Sequence, residues 1–119
     1  EKRILSLRMP EAQRDFVYID DVVDALVKAS TVQKSGARMY NIGTGNSTQV
    51  IDMVRKAESL FKPSVGIDIA IPNPGEPMNI VANVNRATHE LGWLPIYNLK
   101  EGLEAIKAAT IVSQGARPE

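Results

Sequence analysis

The stretch RDFVYIDDV, Arg14 to Val22, decides how the chain is read. Phe16, Val17, Tyr18 and Ile19 are strand formers in a row. Asp20 and Asp21 follow, and a carboxylate at that place caps a helix by accepting a backbone N–H of its first turn. Val22, Val23, Leu26 and Val27 then recur on one helical face. The expectation is a strand that begins at a guanidinium, Arg14, and runs into a capped amphipathic helix. Upstream, Ile4, Leu5 and Leu7 make another strand-like stretch, and Arg8-Met9-Pro10-Glu11 reads as a turn. Together the two stretches predict a hairpin with a longer loop.

Downstream, Gly36 falls in a loop, and Met39, Tyr40, Asn41 and Ile42 make a short strand that breaks at Gly43-Thr44-Gly45-Asn46. Ser47 or Thr48 is placed to cap a helix whose buried face is Val50, Met53, Val54, Ala57, Leu60 and Phe61, and Pro63 ends it. Val65, Ile67, Ile69 and Ile71 alternate, so residues 65–71 read as a strand with Asp68 on its other face. Pro72, Pro74, Gly75 and Pro77 forbid regular structure after it. Asn83 is placed to cap a short helix with Val84, Ala87 and Leu91 on one face, and Gly92 to close it. Asn98 and Glu101 form a capping-box pair before Leu99, Leu103 and Ile106. Residues 1–113 read as a single unit and 114–119 as a frayed tail. Mixed strand and helix patterns place the chain in the α/β or α+β class.

Composition narrows the function classes. The 119 residues suffice for one domain and not for two. Fourteen basic and fourteen acidic residues cancel, which leaves no global field to gather nucleic acid or an anionic membrane. Cysteine is absent and histidine occurs once, so disulfide scaffolds, thiolate nucleophiles and multi-histidine metal sites are excluded. No apolar run approaches the roughly 20 residues that cross a bilayer, and a cytoplasmic location is the default expectation. The first residue is Glu1 rather than methionine, as in a fragment or a processed chain.

The turn Gly43 to Thr48 imitates a dinucleotide-binding fingerprint, with Asp68 on the next strand about twenty residues on. Thr48 stands where close helix–strand packing wants a third glycine, and Asp68 lies inside a strand rather than at its end. A tight turn feeding a helix is the better reading, and no cofactor is expected on this chain alone.

Five blocks in order carry a more specific signal: RDFVYIDDV; YNIGTG, Tyr40 to Gly45; PGEP, Pro74 to Pro77; ANVNRATHELGWLP, Ala82 to Pro95; and NLKEGLEAI, Asn98 to Ile106. In that order they resemble the C-terminal third of the extended short-chain dehydrogenases/reductases, the NAD-dependent epimerase/dehydratase family acting on nucleotide-activated sugars. The resemblance implies the C-terminal part of a Rossmann-type α/β fold, short strands with about four helices, without the complete Rossmann domain. It also implies that NAD(P) and a Tyr-x-x-x-Lys catalytic pair belong to an N-terminal domain. Here Tyr18, Tyr40 and Tyr97 are followed four positions on by Val22, Thr44 and Glu101, so no catalytic residue is expected in this chain.

What the resemblance implies for binding falls on four residues. Arg14 matches the family arginine that binds the substrate pyrophosphate, a task suited to a planar, always-charged fork. Its plain alternative is a surface arginine paired with Asp15 or Asp21. Asn73 stands where many relatives carry a second arginine, and Glu76 where they carry aspartate. Arg8-Met9-Pro10 replaces a Gly-x-Gly turn, so Arg8 adds a positive charge near the phosphate site. His89 is expected in solvent, and Trp93 as a core plug fixing the end of the short helix. The implied partners are a nucleotide-diphosphate sugar and a Rossmann cofactor domain, or a second copy met through an exposed apolar face. The function expected is the nucleotide-sugar binding portion of an epimerase or dehydratase; the alternative is a free-standing, non-catalytic binding or interaction module.

Overall fold

A computed structural model describes residues 3–62 and 65–115. Its elements are β1 (Arg3–Leu7), β2 (Gln13–Arg14), α1 (Ile19–Ser30), β3 (Thr48–Gln49), α2 (Val50–Phe61), β4 (Val65–Ile69), β5 (Asn79–Ile80), α3 (Asn85–Leu91) and α4 (Leu99–Gly115). The mixed α/β reading and the expected number of helices hold among the described residues. The stop assigned to Pro63 lies outside them, as do residues 116–119 of the expected tail, while α4 continues past residue 113 to Gly115.

The hairpin does not form. β1 pairs in parallel with β4, Arg3 opposite Val65 through Leu7 opposite Ile69. β2 lies in a separate sheet, antiparallel to β3 and parallel to β5. The turn between β1 and β2, closed by the Ala12 N–H on the Met9 carbonyl at 3.1 Å, redirects the chain instead of folding it back. Phe16 to Tyr18 belong to no strand, and neither do Met39 to Ile42. Strand propensity alone did not suffice there, because a β-conformation is held by a paired neighbour.

Caps divide along the same line. Asn98 and Glu101 form the reciprocal box at the start of α4: the Glu101 N–H donates to Asn98 Oδ1 at 2.9 Å and the Asn98 N–H to Glu101 Oε2 at 2.8 Å. Gly92 closes α3 with φ 64° as expected, but the N-cap of α3 is Val84; Asn83 stands one residue earlier, where its Oδ1 accepts the Asn85 N–H at 3.1 Å. Ser47 and Thr48 do not cap α2. Its first amides, Val50 and Ile51, donate to the Ala12 and Pro10 carbonyls at 2.9 Å each, so main chain takes the place of a side-chain cap. Asp20 and Asp21 do not cap α1 either; both lie within its first turn. Asp21, 2% exposed, instead accepts the N–H groups of Ile96 and Tyr97 at 3.1 Å each.

The core is small. Trp93, fully buried, packs with Ala25 and Ala87, and its Nε1–H donates to the Asp21 carbonyl at 2.9 Å. Tyr40 and Ile42 lie against this cluster, and the Tyr40 hydroxyl donates to Glu90 at 2.9 Å. Trp93 is thus the expected plug, and His89 is exposed as expected. The apolar face of α1 is open: Leu26 is 66% exposed and Val27 58%, while Asp21 and Ala25 face inward. No helix among the described residues is long and apolar enough to cross a membrane.

Candidate functional site

The end of β1, the turn after it, β2, the start of α2 and the proline-rich loop surround a cavity of about 470 Å³. Its lining includes Arg8, Arg14, Val50 and Glu76. Three of the four expected binding residues therefore meet at one place, although they are far apart in sequence. Asn73 does not line it. Its carbonyl accepts the Glu76 N–H at 3.2 Å, closing a turn that Gly75 enters at φ 77°. Asn73 thus shapes the loop that carries Glu76.

Arg14 is anchored through one corner. Its Nη1 donates to the Gln13 carbonyl at 2.9 Å and to the Met78 carbonyl at 3.2 Å. Nη2 lies 3.6 Å from Glu76 Oε1, with the two side chains 22% and 29% exposed. The ionic partner of Arg14 is therefore neither Asp15 nor Asp21. The cavity's three charged side chains sum to one positive charge, an arrangement suited to a phosphate-bearing ligand.

Asp15 points the other way and organises the glycine-rich turn. Its carboxylate accepts the Thr44 N–H at 2.8 Å, the Thr44 hydroxyl at 2.5 Å, the Gly45 N–H at 2.9 Å and the Ala82 N–H at 3.2 Å. Burial works to raise its pKa, but the hydrogen bonds from Thr44, Gly45 and Ala82 prevail and hold it below the usual value. Gly43 is needed for this packing: a Cβ there would lie 2.5 Å from Asp15 Oδ2 and 2.6 Å from the Ala82 Cβ. Gly45 takes φ 76°, a conformation that suits glycine. The amides that a pyrophosphate would need are thus committed to the chain's own carboxylate, and the turn does not fit a dinucleotide. Asp68 is exposed on β4. Sequence reasoning weighed Asp15 only as a partner of Arg14. The available signal was the turn itself, whose clustered N–H groups require an acceptor.

A second, larger cavity of about 720 Å³ lies between the Gly43–Thr48 turn and the start of α4, lined by Phe16, Thr44, Lys56, Tyr97 and Lys100 among others. None of the expected binding residues reaches it.

Comparison with known proteins identifies the family. The family described as GDP-mannose 4,6 dehydratase matches residues 1–106. A UDP-glucose 4-epimerase of Cyamopsis tetragonoloba is 33% identical over 94 residues, covering 76% of this chain and 27% of the relative. One of Bacillus subtilis is 33% identical over 97 residues, covering 80% and 27%. Among solved structures, MoeE5 in complex with UDP-glucose and NAD matches with a TM-score of 0.84 at 27% identity, over 93% of this chain and 38% of that one. A UDP-glucose 4-epimerase of Thermotoga maritima with UDP-glucose gives 0.78 at 27% identity, over 96% and 36%. The chain spans about a quarter of the length of the curated relatives it matches. With its short mixed strands, four described helices and ordered motif blocks, it belongs to the GDP-mannose 4,6-dehydratase family, among the NAD-dependent nucleotide-sugar epimerases and dehydratases.

Proposed function

We propose that this chain supplies the diphosphate-holding wall of a nucleotide-sugar pocket in an NAD(P)-dependent sugar-nucleotide epimerase or dehydratase. The observation that carries the reading is the meeting of Arg8, Arg14 and Glu76 on one cavity. A guanidinium held through Nη1 by two carbonyls is pre-oriented, so little side-chain entropy is lost when its remaining N–H groups bind phosphate oxygens. UDP-glucose in the MoeE5 and Thermotoga structures supports a nucleotide sugar as the ligand.

The role of the wall is orientation. A diphosphate fixed at Arg14 determines where the attached sugar lies, which is what an enzyme needs before chemistry begins. NAD(P), when bound, supplies hydride exchange at a sugar carbon. We assign its binding to residues outside this chain, because the Thr44 and Gly45 amides are already engaged by Asp15. The exposed face of α1, with Val23, Leu26 and Val27, supports docking onto that cofactor domain, or onto a second copy when the domain is missing.

Substitution at Arg14 tests the reading in the protein as encoded, flanking residues included. Affinities for UDP-, dTDP-, GDP- and CDP-sugars are measured alongside melting temperature. Arg14→Lys keeps the charge but loses the fork and should weaken the best ligand. Arg14→Ala should weaken it further, by about ten- to hundred-fold. Unchanged affinity in a folded Arg14→Ala protein would refute the assignment.

A further inference from the structure

The Arg14 cavity has an unexpected wall for an anion site: one of its three charged groups is a carboxylate. Glu76 Oε1 lies 3.6 Å from Arg14 Nη2, a long ionic contact. Its other oxygen, Oε2, is shielded from solvent and has no hydrogen-bond donor among the described residues. Half of the carboxylate has therefore given up water without a replacement, which costs free energy. Glu76 is held there by a loop containing Pro72, Pro74 and Pro77, through the Asn73–Glu76 turn. Arg8, on the same cavity, makes no ion pair among the described residues.

We propose that Glu76 is an internal stand-in for ligand phosphate: it neutralises Arg14 until a ligand binds and is then exchanged for a diphosphate that reaches Arg8 as well. The proposal rests on the reading that this cavity takes a diphosphate. An anion that meets Arg14 alone replaces one negative partner with another and gains little. Two adjacent phosphoryl groups also neutralise Arg8, which makes no ion pair among the described residues. Glu76 then sets the affinity threshold for every anion, and Arg8 sets the preference for two linked phosphates over one. A neutral amide at position 76 removes the competitor without changing the side chain's shape.

Calorimetric titration with inorganic pyrophosphate and inorganic phosphate tests both parts, using the protein as encoded. Glu76→Gln and Glu76→Ala should each tighten pyrophosphate by about two- to five-fold, the range expected for releasing a partly exposed ion pair. Phosphate should tighten by a similar factor. Arg8→Ala should weaken pyrophosphate by about ten-fold and leave phosphate nearly unchanged. Unchanged or weaker pyrophosphate binding in both Glu76 variants overturns the stand-in, as does absence of binding in them and in the parent. Equal loss of both anions in Arg8→Ala, or no loss, overturns the preference. The underlying reading fails separately: it falls if Arg14→Ala binds pyrophosphate as the parent does. It survives if Arg14→Ala loses binding while the Glu76 variants change nothing.

Discussion

Two neighbouring residues divide the work of the RDF block. Arg14 faces the cavity, and Asp15 faces the glycine-rich turn. Alternation along an extended chain sends consecutive side chains to opposite sides, so one charge lines the proposed ligand cavity and the other serves the fold. Asp15 is the more exacting structurally, because three backbone N–H groups and one hydroxyl depend on it. Asp15→Asn leaves one carbonyl oxygen for those donors and should cost about 1–3 kcal/mol at neutral pH. The pH dependence has a definite sign. The native carboxyl titrates below its ordinary value of 3.8, so its contribution is complete above that value and is lost as pH falls through the lowered one. Denaturant unfolding from pH 7 to pH 3 should therefore show a shallower acid decline in Asp15→Asn than in the parent. Equal slopes in the two proteins would remove this role.

At the scale of elements, helix starts show two solutions to the same problem. α4 satisfies its first amides through its own side chains, the Asn98–Glu101 box. α2 satisfies its first amides through the Ala12 and Pro10 carbonyls of a distant turn. The first is local, so Asn98→Ala should cost about 1 kcal/mol, and Glu101→Ala in that background should cost little more because the box is already broken. Chemical denaturation of the two single variants and the double variant checks this, and additive losses would mean the residues act separately. The second solution couples the start of α2 to the β1–β2 turn. That turn also carries Arg8, so one backbone network supports the cavity wall and its helix.

The whole molecule is open. Its radius of gyration is 17.5 Å, against about 13.5 Å for a compact domain of this length. The extents of 55 × 45 × 21 Å describe a slab, with burial concentrated around Trp93. Val23, Leu26 and Val27 are exposed on α1, and Ile4 and Ile69 on the β1–β4 pair. Such faces associate when nothing else covers them. The 119-residue chain by itself should sediment as a concentration-dependent oligomer, once circular dichroism has verified its helices. Leu26→Lys should weaken association by about ten-fold or more, the worth of burying one leucine. A clean monomer over a wide concentration range would count against this.

Local chemistry determined a good part of this protein from sequence alone. The Asn98–Glu101 box, the Gly92 stop and the proline-rich loop follow from residues a few positions apart, whose interactions survive in almost any tertiary setting. The meeting of Arg8 and Arg14 on one cavity was legible only through the family resemblance and the place where Arg8-Met9-Pro10 departs from it. Long-range geometry decided the rest. A strand takes its partner from elsewhere in the chain, so the sequence could not tell a β1–β2 hairpin from the parallel β1–β4 pair. Met39 to Ile42 has strand chemistry but no paired neighbour among the described residues. Asp20 and Asp21 look alike in sequence. Only packing made Asp21 a buried acceptor for Ile96 and Tyr97, because burial depends on what the fold brings to that side of the helix.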